Sequence, residues 1–353
     1  MLLLEKLRVQ LAENGVDGLF IMSPYNRRYV TGFTGTAGAA IVTQHDAVFL
    51  TDFRYMEQAA KQAEGFTIVQ HSKPILQEAM EQAEKLGLST LGFETEYVSH
   101  QEYEQLKKQF KGTLKPVAGL VENLRLIKTE SEIKILKKAC DIADAAFKHI
   151  LDFVKPGARE IDVSNELEFF MRKCGATSSS FDIIVASGVR SALPHGVASD
   201  KTIESGDFVT LDFGAFYKGY ASDITRTVAV GEPSAQLKEI YEIVLEAQMA
   251  AVNQIRPGMT GKEADAVTRD IITSKGYGDA FGHSTGHGLG LEIHESPTLS
   301  VRNDKPLAAG MVVTVEPGIY LPGIGGVRIE DDILLTDSGN ELLTHSVKEL
   351  IIL

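Results

Sequence analysis

The sequence predicts an α+β fold in which a larger domain built from an internal pseudo-twofold duplication follows a smaller α/β domain. Three observations lead there. Gly206-Asp207-Phe208-Val209-Thr210-Leu211-Asp212 is echoed by Gly310-Met311-Val312-Val313-Thr314-Val315-Glu316, each an apolar strand-like run ending in a carboxylate. Each run is followed by a second strand with another acid: Asp223 in Ser-Asp-Ile-Thr-Arg-Thr, and Glu330 in Val-Arg-Ile-Glu-Asp-Asp. Upstream, Lys155-Pro156-Gly157 and Arg256-Pro257-Gly258 each separate two helix-like stretches. The repeat is too long for a solenoid unit, so two copies folding about one axis is the simpler reading.

Taken in chain order, Leu4, Leu7 and Leu11 mark a first helix that stops at Asn14-Gly15. Strand-like runs follow at 18–22, 39–42, 47–51 and 67–69, with helices near 54–63, 74–86 and 100–109. Strands alternating with helices predict an α/β sandwich. Arg27 to Phe33 and Asp52 to Tyr55 are either cleft-lining segments or ordinary loop residues. Thr129 with Glu132 forms a capping-box pattern. The domains are therefore drawn at 1–121 and 122–353.

In the second domain, Ile135, Ala139, Ile142, Ala146 and Ile150 recur at helical spacing, as do Ile240, Ile243, Ala247, Ala251 and Ile255. A second amphipathic stretch follows each Pro-Gly: Val163, Leu167, Phe170 and Met171 in one copy, and Ala264, Val267 and Ile271 in the other. A hairpin turning around Tyr217-Lys218 is expected to set Asp212 opposite Asp223. A longer turn through Pro322-Gly323-Ile324-Gly325 should do the same for Glu316 and Glu330. Directly opposed Cβ atoms lie about 5 Å apart, close enough for two carboxylates to share a cation.

Four acids in apolar strands would be desolvated together, which requires either protons or cations. Two divalent ions supply about four positive charges. The histidine segment Phe-Gly-His283-Ser-Thr-Gly-His287-Gly-Leu-Gly lies between the hairpins and offers an imidazole. Carboxylate oxygens with one imidazole suit Mn²⁺, Co²⁺, Fe²⁺ or Zn²⁺ better than a soft ion.

Composition bounds the rest. The 353 residues are 44% apolar, ample for packed cores, and carry a net charge of −13 that argues against nucleic acid and anionic membrane as partners. No run approaches the roughly 18 apolar residues of a spanning helix, and the N-terminal Leu run is too short for a signal peptide. A cytoplasmic protein is expected. Cys140 and Cys174 sit in helical patterns and read as buried free thiols.

Together these segments resemble the prolidase and aminopeptidase P family, the proline-specific pita-bread metallopeptidases. The resemblance spans the whole chain, with a creatinase/prolidase-type N-terminal domain. It rests on Leu-Asp212-Phe-Gly, Ser-Asp223-Ile-Thr-Arg, Gly-His287-Gly-Leu-Gly, Val-Glu316-Pro-Gly and Val-Arg328-Ile-Glu330-Asp. It implies that Asp223 and Glu330 bridge two metal ions, with Asp212 on one and His287 and Glu316 on the other. Mn²⁺ is expected, with Co²⁺ or Zn²⁺ as alternatives. It also implies that His294, in Glu-Ile-His-Glu, and His195, in Leu-Pro-His-Gly, flank the reaction centre as oxyanion donor and proline-side wall. His283 is either a partner of the ligands or a substrate contact. Arg328 pairs with a ligand carboxylate or with a substrate carboxylate. The implied activity is hydrolysis of Xaa-Pro bonds at the N-termini of short peptides. A homodimer is expected separately, from an N-terminal domain that carries no metal-like cluster of its own. The alternatives are a methionine aminopeptidase-like enzyme and a metal-free binding module on the same fold. Thr298, four residues after His294, stands where some prolidases carry an arginine, which leaves dipeptidase and aminopeptidase behaviour both open.

Overall fold

The computed structural model describes residues 2–353 and divides into an N-terminal unit that closes at Arg125 and a C-terminal unit, Leu126–Leu353. In the first unit a six-stranded sheet runs Thr67–Gln70, Ala47–Thr51, Ala39–Thr43, Gly18–Ile21, Thr90–Glu94, Thr113–Val117. The three central members of that order, 47–51, 39–43 and 18–21, pair antiparallel, and the outer strands add on parallel. Successive side chains of the buried strand Gly18–Ile21 point to opposite faces. Leu19 and Ile21 join Leu7 and Leu11 of the first helix, while Phe20 joins Leu76 and Leu106 on the other side. The sheet is thus covered on both faces, as an α/β sandwich requires.

Several elements escape the periodicity. Pro24–Thr31 is a helix, started by the Ser23 side chain accepting from Asn26 N–H, with Pro at its first position. Arg27 lies within it, buried, and donates to the carbonyls of Gly35 and Gly38, so it supports a loop instead of lining a cleft. Residues 122–125, expected to open the second domain, stay with the first unit. Arg125 Nη1 donates to Asn26 Oδ1, and Tyr29 Oη to the Leu124 carbonyl.

The C-terminal unit contains the two helix pairs of the duplication: Glu130–Ile150 with Glu160–Lys173, and Ala235–Gln254 with Gly261–Ser274. The capping box at Thr129 and Glu132 is formed, and Thr260 with Glu263 repeats it in the second copy. Strands Phe208–Phe213 and Ile224–Ala229 pair antiparallel, as do Val312–Val315 and Asp331–Thr336. Cys140 is buried, but Cys174 caps a helix end and is exposed, contrary to expectation. No described helix is long and apolar enough to cross a membrane.

The registers differ between the copies. Asp212 faces Thr225, not Asp223, which lies just outside the strand. The strand leaves its sheet at Gly214, where an added Cβ would meet the Ser222 carbonyl oxygen at 1.7 Å, and a separate hairpin turns at Lys218-Gly219. Both turn residues have positive φ, the two-residue turn that suits strand twist. In the second copy Val315 faces Asp331, and one further step of that register sets Glu316 across from Glu330, as expected.

Glycines permit this close layering. A Cβ on Gly286 would meet the Thr314 carbonyl oxygen at 2.0 Å, and one on Gly288 the Ser296 carbonyl oxygen at 2.3 Å. Gly286→Ala should therefore destabilise the protein by about 1–3 kcal/mol through overpacking. Gly282→Ala, which meets nothing within 4 Å, should be near neutral. Thermal unfolding of the two variants checks the contrast.

Candidate metal centre

The strands deliver carboxylates to one buried place. Asp223, His287 and Glu330 each place a ligand atom within 4.8 Å of the others. Glu316 Oε1 lies 3.4 Å from His287 Nε2, and Asp223 Oδ2 lies 3.7 Å from the same nitrogen. Asp212 is held apart by Arg328, whose Nη2 donates to its Oδ2, although its charge is felt by Asp223, Glu316 and Glu330.

Electrostatics make this arrangement costly without a cation. Burial, followed by Glu330 and Asp212, pushes the Asp223 carboxyl well above the usual range. Burial, then Glu316 and Asp212, does the same to Glu330. Glu316 is pushed up to about 8 by burial, Arg328 opposing and Asp212 reinforcing the shift. Asp212 Oδ1 and Asp223 Oδ1 are buried without a hydrogen-bond partner. Buried carboxylate oxygens without a donor fit the donor set of a hard cation.

His287 is prepared in the same sense. Its Nδ1 lies 3.0 Å from the Gly288 carbonyl, which only accepts, so the ring proton sits on Nδ1 and Nε2 keeps its lone pair. Burial, helped by His294, lowers its pKa to about 4, so the ring is neutral at pH 7. The Nε2 lone pair therefore faces the acids and is free to ligate.

A second layer fixes these groups. Thr225 Oγ1 donates to Glu330 Oε2 at 2.6 Å, and Thr314 Oγ1 donates to Glu316 Oε1 at 3.2 Å. The Asp223 backbone N–H donates to Asp332 Oδ2. Arg328 donates from Nη1 to Tyr320 Oη, and His283 Nε2 lies 2.8 Å from that oxygen. Because His283 Nδ1 bonds the Ser284 carbonyl, its proton is there and Tyr320 donates to Nε2. Both ring nitrogens of His283 are thus engaged within the protein.

His294 and His195 are exposed. The His294 ring stands 4.4 Å from that of His287, nearly perpendicular to it, and burial followed by His195 lowers its pKa. His195 follows the short helix Gly188–Ala192 and acts electrostatically on both His294 and His283. Sequence reasoning missed Tyr320, Thr225, Thr314 and Asp332.

The fold and this oxygen-rich site define a metal-dependent hydrolase. Residues 134–337 match metallopeptidase family M24, and residues 4–127 match the Creatinase/Prolidase N-terminal domain. The chain is 44% identical to an Xaa-Pro dipeptidase of Pyrococcus furiosus over 99% of both proteins. The solved Xaa-Pro dipeptidase from Bacillus anthracis is 64% identical, with a TM-score of 0.99 over 100% of this chain and 99% of that one. An X-Pro aminopeptidase structure from Thermotoga maritima is 39% identical, with a TM-score of 0.90 over 98% and 100% of the chains. The chain belongs to metallopeptidase family M24 and has the pita-bread fold of that family. It is a peptidase that uses divalent metal.

Metal removal should therefore be visible in stability. A chelator should lower the melting temperature by roughly 5 °C or more, the scale expected when a saturating ligand is withdrawn. Asp223→Asn and Glu330→Gln should equal or exceed the parent in chelator, because each removes a buried charge. Both should lose the gain on adding metal. Differential scanning calorimetry with and without Mn²⁺ measures this difference directly.

Proposed function

We propose that the protein hydrolyses the Xaa-Pro bond at the N-terminus of short peptides, using two divalent ions, Mn²⁺ in the first instance. The supporting observation is the meeting of Asp223, His287, Glu316 and Glu330 at one buried centre, with Asp212 held on Arg328 but acting electrostatically on the other acids, and with two carboxylate oxygens left unpartnered. Relatives named as Xaa-Pro dipeptidases, alike along nearly the full chain, support the proline preference. Asp223 and Glu330, whose carboxyls burial and then the neighbouring acids push well above the usual range, would be the pair shared by both ions. Asp212 would serve one ion, and His287 and Glu316 the other.

When bound, the ions acidify water and polarise the scissile carbonyl. The chain's own residues supply the rest. Arg328 holds Asp212 through Nη2, and the proton on His287 Nδ1 keeps Nε2 turned to the centre. His294, neutral at pH 7, donates a ring N–H to the developing oxyanion. His195 walls the proline side. The bond before proline has no N–H, so selectivity comes from the shape of the ring pocket and not from a hydrogen bond to that nitrogen.

A cytoplasmic homodimer is part of the same proposal. Metal analysis should approach two ions per chain in Mn²⁺, with Asp223→Ala and Glu330→Ala each losing more than one, and light scattering should give twice the chain mass.

The activity itself is read with Xaa-Pro against Xaa-Ala peptides, the former expected to be cleaved far faster. His294→Ala should lower kcat by roughly 10²-fold or more with metal content intact, as for loss of an oxyanion donor. His195→Ala should act mainly on KM. Equal cleavage of Met-Ala and Xaa-Pro peptides would put a methionine aminopeptidase activity in first place.

A further inference from the structure

The loop that carries His195 has little apolar burial to hold it. It leaves the strand Ile184–Ser187 and ends at Ser199, and its Val189, Leu193 and Val197 are 55%, 49% and 49% exposed. Its shape comes from the short helix Gly188–Ala192 and a turn closed by the Gly196 N–H on the Leu193 carbonyl. Pro194 and His195 are the central residues of that turn, and proline pre-sets the first of them.

One buried carboxylate fixes where the turn stands. Glu160, the first residue of the helix Glu160–Lys173, is 0% exposed, and both its oxygens are engaged by the loop. At the loop's start, Oε1 accepts from the Ser187 N–H at 2.7 Å and from Ser187 Oγ at 2.8 Å. Lys201 Nζ donates to that same hydroxyl, so its own proton is left for Glu160. At the loop's end, Oε2 accepts from the Ser199 N–H at 3.1 Å and from Ser199 Oγ at 2.6 Å. Arg190 Nε reaches both oxygens, and Arg190 Nη2 donates across the turn to the Val197 carbonyl. A single side chain thus clamps both feet of the loop and the guanidinium that spans it.

The clamp is referenced to the metal centre on two sides. Ile184 stands opposite Asp212 in the ladder between the strands Ile184–Ser187 and Phe208–Phe213. Ser191 Oγ accepts from the Gly326 N–H at 2.8 Å, in the strand Gly325–Arg328. A Cβ on Gly326 would meet the Ser191 carbonyl oxygen at 2.4 Å, so the loop lies directly on the strand that delivers Arg328. At its tip, His195 acts electrostatically on His294 and His283. A fully buried carboxylate is a costly way to fill space, and an apolar side chain would fill it better. What the carboxylate adds is direction, since it accepts from both ends of the loop at once.

We propose that Glu160 is a positioning residue for His195, which fixes the loop on the proline side of the site and thereby sets the affinity for Xaa-Pro peptides. The proposal rests on the role given to His195 above. A loop that leaves its place lowers the fraction of enzyme competent to bind, and the apparent affinity falls with it. Once substrate is seated, the acids of the metal centre and His294 act as before.

The test uses the Mn²⁺-loaded enzyme and the dipeptide Ala-Pro. Glu160→Gln keeps the size but turns one acceptor into a donor, facing a serine that also donates. It should raise KM roughly tenfold, the loss expected of a hydrogen bond to a buried charged group, with kcat and metal content little changed. In a His195→Ala background the same substitution should add nothing to KM, because the side chain it acts through is gone. A merely structural residue would add its full effect there. Ser199→Ala removes one hydroxyl donor and keeps the backbone N–H, so it should raise KM by less; it carries the same cycle with His195→Ala if Glu160→Gln does not fold. Hydrogen exchange should quicken at 187–199 in either variant and stay as it is in the helix Ala235–Gln254. A wild-type KM, an effect that persists undiminished without His195, or unchanged exchange in the loop overturns the positioning role and leaves the proline reading standing. A wild type that does not cleave Ala-Pro overturns the proline reading, and the role given to this loop with it.

Discussion

Mutual repulsion among four carboxylates gathered in a largely buried space is the constraint around which the C-terminal unit is arranged. At an effective dielectric near 20, each pair of like charges 4 Å apart costs about 4 kcal/mol. Arg328 is the one side-chain cation that touches a ligand acid in the described structure, and it is spent on Asp212. Burial opposes its charge, but Tyr320, Asp212, Glu316 and Glu330 hold it protonated. A single guanidinium leaves most of the negative charge in place, which is how the fold generates affinity for divalent ions. The cost of keeping the acids together is borne by the packing of the duplicated helices and strands around them.

A second buried charge cluster carries that load next to the first. Asp331 is held below the usual carboxylate range despite burial, by Arg226 and Lys348. It also accepts from Gln248 Nε2 at 2.6 Å and from Thr344 Oγ1 at 2.9 Å. Arg226 in turn reaches the carbonyls of Ser346 and Val347, tying the strand after Asp223 to the C-terminal segment. Because every member is paired, the network is rigid; removing one partner would strand a buried charge at a cost of about 3–5 kcal/mol. Glu330 lies one residue from Asp331, so the strand that delivers a ligand is anchored by its immediate neighbour.

Much of this was written in the sequence, for physical reasons that also explain what was not. The echo of Leu211-Asp212 in Val315-Glu316 was legible because an acid ending an apolar strand violates ordinary strand composition. The helix pairs were legible from their apolar spacing, and the cap at Thr129 from two residues. The helix Pro24–Thr31 was not, because half its face is polar and its Asn26 and Arg27 are buried by partners outside the helix, Glu94 and the Gly35–Gly38 loop. Tyr320 and Thr225 were silent for a similar reason. Each looks like an ordinary strand residue until the register places its hydroxyl against Arg328 or Glu330. Cys174 followed its helix pattern to the last turn and then emerged, since a helix end is exposed where its interior is not.

The same register shows why two copies of one scaffold do not make a symmetric site. In the second copy the extended ladder sets Glu316 across from Glu330, but in the first it sets Asp212 across from Thr225. The place where symmetry would put a fourth strand carboxylate is taken by a hydroxyl, and the carboxylate itself moves to Asp223, beyond the strand end. That hydroxyl is not idle: it donates to Glu330 Oε2, a carboxylate of the other copy. Asp223, released from the ladder, gains a backbone contact to Asp332 of the other copy instead. Each departure from symmetry thus creates a bond across the pseudo-axis. The halves are bonded to one another beside the place where their charges repel, and divergence between the copies supplies those bonds.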